Sequence, residues 1–193
     1  MWKFVKSALD KNSWIDTNGN IQVIFWGRSN VGKSSLLNAI TNQKISFVSK
    51  TPGRTQLINY FTDLNNKFIV DLPGYGYATM SKQKQQQMLN SIKQYLEFEP
   101  NPKHLFILLD SRSGITKLDH EIIDFITHLG LSFSLVYTKI DKLNQKDKSA
   151  LIKKHAEQIQ NYKFNSETFL VSAHKKINLD ELVEYIDKIL YQP

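Results

Sequence analysis

Cysteine is absent from the 193 residues. That absence excludes a disulfide framework, a thiolate-ligated zinc or iron–sulfur site and a thiol nucleophile. It also excludes prenylation and palmitoylation, and Trp2 in place of glycine excludes N-myristoylation, so no lipid anchor is expected. Glycine (8) and proline (5) are sparse, which excludes collagen-like and Pro/Gly-rich low-complexity chains. Long hydrophobic runs are missing as well. The longest, Leu105 to Leu109, has the length of a strand, against the roughly 20 residues a helix needs to cross a bilayer. Met1-Trp2-Lys3-Phe4-Val5-Lys6 offers neither a continuous apolar stretch nor a small-residue cleavage site. The expectation is a soluble cytoplasmic protein.

What is present is a globular composition, 41% hydrophobic and 22% charged, enough for one well-filled domain. Twenty-five Lys and Arg against 18 Asp and Glu leave a net charge of +7. Such a charge permits a nucleic-acid partner and is equally at home in an ordinary basic cytosolic protein.

Short β-rich runs alternate with helical patterns along the chain. Strands are predicted at Ile21 to Trp26, Leu57 to Asp63, Lys67 to Leu72, His104 to Asp110, Leu131 to Thr138 and Glu167 to Ser172. Asn65-Asn66 is a tight-turn pair joining the second and third of these. Helices are predicted at Lys33 to Thr41, Ser81 to Glu97 and Leu118 to Leu129. Another is marked by Leu151, Ile152, His155 and Ile159, and a last one carries Leu179, Leu182, Val183, Ile186, Ile189 and Leu190 on one stripe. Asn178 followed by Glu181 reads as the cap of that last helix. The alternation predicts a doubly wound α/β fold: a mostly parallel six-stranded sheet with one antiparallel strand and helices on both faces. Residues 1–20 read as an N-terminal extension, 21–193 as a single domain, and Lys142 to Lys148 as a polar loop.

Gly27-Arg28-Ser29-Asn30-Val31-Gly32-Lys33-Ser34 fits G-x-x-x-x-G-K-[ST], after a strand and opening a helix. Glycines at both ends let consecutive backbone N–H groups turn inward on a polyphosphate, and the helix N-terminus adds its positive end. Lys33 would reach the β/γ oxygens and the Ser34 hydroxyl would ligate Mg²⁺. This loop alone does not separate ATP from GTP.

Base choice is read at Thr138-Lys139-Ile140-Asp141, at the carboxyl end of a strand, where ligands sit in this fold. Guanine presents N1–H and N2–H₂ side by side, and the single Asp141 carboxylate accepts from both, whereas adenine would leave it unpaired. The Lys139 stem could cover the base plane. Leu170-Val171-Ser172-Ala173, another strand end, could offer backbone N–H groups to the guanine O6, although alone it reads as no more than a strand end. Asp71-Leu72-Pro73-Gly74 alone could be a plain turn. Between the phosphate loop and the base segment it reads as a carboxylate holding Mg²⁺ through water, with the Gly74 N–H approaching the γ-phosphate.

Four segments in this order resemble a translation-factor-class GTPase, and more narrowly the EngB (YihA/YsxC) family of bacterial ribosome-biogenesis GTPases. The matching stretches are 27–35 (GRSNVGKSS), 49–56 (SKTPGRTQ), 71–78 (DLPGYGYA) and 138–141 (TKID). The resemblance implies a Ras-like GTP-binding domain over 21–193. It implies a first switch at Gly53, Arg54, Thr55, Gln56 and Leu57, with Thr55 ligating Mg²⁺ when the γ-phosphate is present. A second switch would run from Asp71 to about Lys84, and Val171, Ser172 and Ala173 would close the guanine site. Thr138 replaces the asparagine usual in GTPases at large. The implied partner is the large ribosomal subunit or its precursors, rRNA and ribosomal proteins, with a role in normal division and septation. Lys142, Lys146, Lys148, Lys153, Lys154, His174, Lys175 and Lys176 form basic segments suited to rRNA phosphates.

Tyr75 stands where many GTPases carry the glutamine that orients the attacking water, so slow intrinsic hydrolysis is expected. Asn30 stands where potassium-dependent members carry an asparagine, and either ligates K⁺ or supports the loop backbone. Arg28 reads as a surface residue more than a phosphate contact. Tyr75, Gly76 and Tyr77 read as a moving surface for a partner, or as a tyrosine pair packed on the sheet edge. Two other readings stay open: a P-loop kinase or ATPase of small-molecule metabolism, disfavoured by Asp141, and a GTPase acting directly in division or at the membrane. Nothing in the sequence demands more than a monomer.

Overall fold

The structure, a computed structural model, describes residues 1–45, 57–160 and 167–192. Its strands are β1 (Lys3–Ala8), β2 (Gln22–Gly27), β3 (Ile58–Thr62), β4 (Phe68–Asp71), β5 (Lys103–Asp110), β6 (Ser132–Thr138) and β7 (Thr168–Leu170). Its helices are α1 (Lys33–Thr41), α2 (Lys82–Phe98), α3 (Lys117–His128), α4 (Gln145–Ile159) and α5 (Leu179–Tyr191). The most apolar runs, β2 and β5, are buried along their whole length and lie side by side in parallel. Strands without polar alternation are stable only when both sheet faces are covered.

Both faces are covered here. Val23 and Phe25 of β2, with Phe106 and Leu108 of β5, pack under Leu36 and Leu37 of α1 and Leu182, Ile186 and Leu190 of α5. The alternate residues Ile24, Trp26, Leu105, Ile107 and Leu109 pack against Ile92, Tyr95 and Leu96 of α2 and Ile122, Ile123 and Ile126 of α3. The period-two alternation of strands thus feeds two separate apolar layers.

The sheet runs β1-β3-β4-β2-β5-β6-β7, with β3 antiparallel to both neighbours and every other pair parallel. Among the described residues it has seven strands where six are expected. The added one, β1, comes from the segment read as an extension. It was not legible because it buries almost nothing: Phe4 and Val5 stay exposed beside lysines, and pairing with the free edge of β3 holds it. Two local expectations are also corrected. The loop read over Lys142 to Lys148 is shorter, since α4 begins at Gln145 with the Asn144 Oδ1 accepting the Asp147 N–H at 2.9 Å; its charged first turn is solvent-facing helix. Asn178 does sit at the start of α5, but in left-handed backbone, and its Nδ2 donates to the Leu170 carbonyl at 2.8 Å instead of its side chain capping the helix.

Two strand ends set measurable constraints. A Cβ at Gly27 would lie 2.8 Å from the Leu108 carbonyl oxygen on β5, closer than real contacts allow. Gly27→Ala is therefore expected to push the following loop off β5 and cost about 1–3 kcal/mol, read as a lower denaturant midpoint, with nucleotide binding weakened in parallel. At the other end of β5, His104 is buried against Phe106 and Tyr185, its Nε2 2.9 Å from the Ser134 hydroxyl, and burial holds its imidazole down at about 4 from the ordinary 6.5. Because the unfolded chain takes up this proton and the folded chain refuses it, the contribution is present above pH 6.5 and is lost as the pH falls to about 4. Melting scans should show up to about 3 kcal/mol of acid sensitivity in that window that His104→Gln removes.

Candidate nucleotide site

At the carboxyl end of β2 the chain leaves the sheet at Gly27 and re-enters regular structure at Lys33, through Gly32 in left-handed backbone with φ of 101°. Among the described residues the N–H groups of Asn30, Gly32, Lys33 and Ser34 make no hydrogen bond, as expected where a helix begins without a side-chain cap. Those open donors and the α1 dipole form an anion cradle.

The cradle is tied to the segment after β4. The Ser29 N–H donates to the Tyr75 carbonyl at 2.7 Å and the Tyr75 N–H to the Gly27 carbonyl at 3.1 Å, so the two segments extend the parallel ladder beyond the sheet. Gly74 lies inside this clasp: a Cβ there would meet the Ser29 nitrogen at 3.2 Å and the Gly27 oxygen at 3.3 Å. Leu72 is core, and the Pro73 carbonyl accepts the Trp26 indole N–H at 3.0 Å. Both hold the segment in place. Lys33 and Asp71 form a mostly buried ion pair in the same cleft. No group of three or more His, Asp or Glu converges among the described residues. A divalent ion here would draw on Ser34, Asp71 and phosphate oxygens, a hard-oxygen set that suits Mg²⁺.

The base segment is built on the same cradle. The Thr138 hydroxyl lies 2.6 Å from the Val31 carbonyl and 3.2 Å from that of Leu109, fastening the loop to β5 and β6. Lys139, in left-handed backbone, extends its ammonium to the Asn30 carbonyl at 2.7 Å and to Asp110 at 3.0 Å. Ile140 is buried, its N–H donating to Val171 at 3.2 Å. The Ser172 hydroxyl donates to the Asp141 Oδ1 at 2.6 Å, and this bond above all holds the carboxyl below the usual range. Asp141 is then an ionised acceptor beside a cavity of about 220 Å³, lined by Gly32, Leu36, Thr138, Lys139, Val171 and Ala173 among others.

Of the three residues expected to close this site, only Ala173 keeps its N–H open among the described residues. The Val171 N–H is taken by Tyr137 at 2.8 Å and that of Ser172 by Ile177 at 3.1 Å. Asp110 was missed at the sequence level. Burial alone would raise its pKa, but the Arg112 guanidinium, at 2.9 and 2.7 Å, together with Lys139, outweighs that and holds the carboxyl well below the usual range. The available signal was a carboxylate ending a fully apolar strand, and what concealed it was that Lys139 arrives from elsewhere in the chain.

Tyr75 is corrected. It is 3% exposed, stacks edge-on against Trp26 at 5.4 Å and donates its hydroxyl to the Asp119 Oδ1 at 2.9 Å. Burial pushes its phenol well up. It packs inside, while Gly76 and the half-buried Tyr77 keep the outward position. Arg28 is half-buried and turns toward Asp119, with Nε at 3.9 Å. Gly53, Arg54, Thr55 and Gln56 lie outside the described residues, and Leu57 stands half-buried just before β3.

Residues 22–139 match the family described as a 50S ribosome-binding GTPase. The chain is 56% identical to "Probable GTP-binding protein EngB" of Mycoplasmopsis agalactiae over 100% of both chains. It is 46% identical to the protein of that name in Metamycoplasma arthritidis, over 97% of this chain and 100% of the other. Among solved structures, that of a probable GTP-binding protein engB superposes with a TM-score of 0.70 at 24% identity, covering 89% of this chain and 100% of that one. Era in complex with MgGDPNP and nucleotides 1506–1542 of 16S ribosomal RNA superposes at 0.67 with 30% identity, covering 89% of this chain and 57% of that one. No helix among the described residues is long and apolar enough to cross a membrane. Sharing more than half its residues with a relative matched end to end, and carrying the phosphate loop and base pocket in one cleft, the chain belongs to the EngB family of GTP-binding proteins.

Proposed function

We propose that this GTPase acts in the cytoplasm as a slow GTP-driven switch in assembly of the large ribosomal subunit, with normal division and septation depending on it through ribosome supply. The observation that carries the nucleotide half of this reading is the joining of cradle and pocket: Asp141 accepts at the base while Lys139 and Thr138 grip the carbonyls of the phosphate loop itself.

Bound Mg²⁺ supplies charge neutralisation at the β- and γ-phosphates. The chain's own groups do the rest. The loop N–H groups and Lys33 would hold the phosphates, Ser34 and Asp71 would hold the ion, with Thr55 as the further ligand that the resemblance implies in the GTP state, and the Gly74 N–H would meet the γ-phosphate. In hydrolysis water attacks the γ-phosphorus, the bond to the β,γ-bridging oxygen breaks, and GDP and phosphate leave. The Tyr75 hydroxyl is engaged by Asp119 and buried, so it offers nothing to the attacking water, which supports a low intrinsic rate. Asn30 is exposed and its side chain has no partner among the described residues, which leaves it free to ligate K⁺ beside the phosphates. Loss of the γ-phosphate releases both switches.

The partner reading is supported by charge placed beside the base pocket. Lys142, Lys146, Lys153 and Lys154 are exposed on and before α4, and His174, Lys175 and Lys176 on the loop after β7. Basic segments on neighbouring elements suit the phosphates of rRNA. Similarity to a family described as ribosome-binding points the same way.

Sedimentation with purified large ribosomal subunits tests this reading at fixed salt. The chain should pellet with a non-hydrolysable GTP analogue and stay in the supernatant with GDP. A chain that binds GTP yet never pellets in any nucleotide state removes the ribosomal assignment. For the cation, GTP turnover should rise at least several-fold in K⁺ over Na⁺, with Asn30→Ala abolishing the difference; equal turnover in both salts would exclude the K⁺ role.

A further inference from the structure

The Asp119 carboxylate is 1% exposed and serves three elements at once. Its Oδ2 accepts the Thr116 N–H at 2.8 Å and the Thr116 hydroxyl at 2.6 Å, which closes the start of α3. That duty needs one oxygen. Oδ1 faces the other way, accepting the Tyr75 hydroxyl at 2.9 Å with the Arg28 Nε 3.9 Å distant. A carboxylate removed from water this completely is tolerated only when donors meet both oxygens. Here the donor to the second oxygen is the hydroxyl of the residue following Gly74, and the phosphate loop adds the charge of Arg28 at ion-pair distance.

The same two residues, Arg28 and Tyr75, are bridged through their backbones, on either side of the Gly74 clasp. Gly74 is thus held between a phosphate loop and a tyrosine that are each joined to one buried anion. Its N–H cannot swing away from the loop without drawing the Tyr75 phenol off Asp119 and out from the Trp26 face. The next residue, Gly76, is exposed and in left-handed backbone, with φ of 70°.

We propose that Asp119 is a positioning residue for GTP-state recognition: by holding Tyr75 and Arg28, it keeps the Gly74 N–H at the γ-phosphate position and makes Tyr75 the fixed root of the second switch, with motion beginning at Gly76. The parts that GTP and GDP share are met by Lys33, the loop N–H groups and Asp141, whereas the group that Asp119 anchors through Tyr75 is the Gly74 N–H, so the loss of Asp119 falls on GTP more than on GDP. This rests on the reading of the chain as a GTP switch.

The test measures Kd for GDP and for a non-hydrolysable GTP analogue by competition with a fluorescent nucleotide, on the full chain, with thermal unfolding alongside. Tyr75→Phe removes one hydroxyl and keeps the ring against Trp26. It should weaken the GTP analogue about fivefold while GDP affinity stays within about twofold, and Asp119→Ala should do the same or more. Thr116→Ala removes the hydroxyl donor to Oδ2 but keeps the Thr116 N–H there and the Tyr75 and Arg28 contacts at Oδ1, so it should lower the melting temperature and leave the GTP-to-GDP ratio unchanged. Equal losses for both nucleotides, an unchanged ratio in Tyr75→Phe, or a ratio shift in Thr116→Ala as large as in Tyr75→Phe would each overturn the assignment. If Asp119→Ala does not fold, Tyr75→Phe decides alone. A wild-type chain that binds GDP but not the GTP analogue would overturn the switch reading, and this inference with it.

Discussion

Two backbone hydrogen bonds, Ser29 to Tyr75 and Tyr75 to Gly27, hold the site together. They continue the parallel pairing of β2 and β4 past the point where both strands stop, and so bring the phosphate loop and the Asp71–Gly74 segment to a backbone-to-backbone distance that no side chain could share. Gly27 must be bare because β5 passes against it, and Gly74 because the loop does. Each glycine is required by a neighbour distant in sequence more than by its own dihedral angles.

The base half of the site depends on the same loop. Thr138 and Lys139 grip the carbonyls of Val31 and Asn30, while the N–H groups of Asn30, Gly32, Lys33 and Ser34 make no hydrogen bond among the described residues. The cradle and the proposed base segment are in this sense one structure: whatever moves the loop carbonyls moves Thr138 and Lys139. Asp110 and Arg112 stand behind Lys139 and keep its ammonium oriented with charge-assisted bonds.

Much of this was legible along the chain. Strand ends, helix starts and the spacing of Gly27, Lys33, Asp71 and Asp141 follow from periodicity and from local chemistry that acts within a few residues. Five of the helices and six of the strands fall where apolar periodicity put them. β1 escaped because an edge strand held by backbone pairing carries no apolar signature. The capping role expected of Asn178 failed because the helix start competes with the end of β7 for the same side chain.

The sequence by itself determined the phosphate-loop motif, the position of the carboxylate proposed to read guanine and the doubly wound order of elements, since each rests on residues adjacent in the chain or on a repeat that a single element contains. Which N–H of 171–173 stays open, where Tyr75 points, and that Asp110 and Asp119 belong to the site at all were decided only by tertiary structure. The physical reason is that a buried carboxylate is defined by the donors and charges that reach it: for Asp119 the donors come from residues 75 and 116 and the nearby positive charge from residue 28. No local pattern can encode such a meeting; the packing of α3 against the sheet creates it.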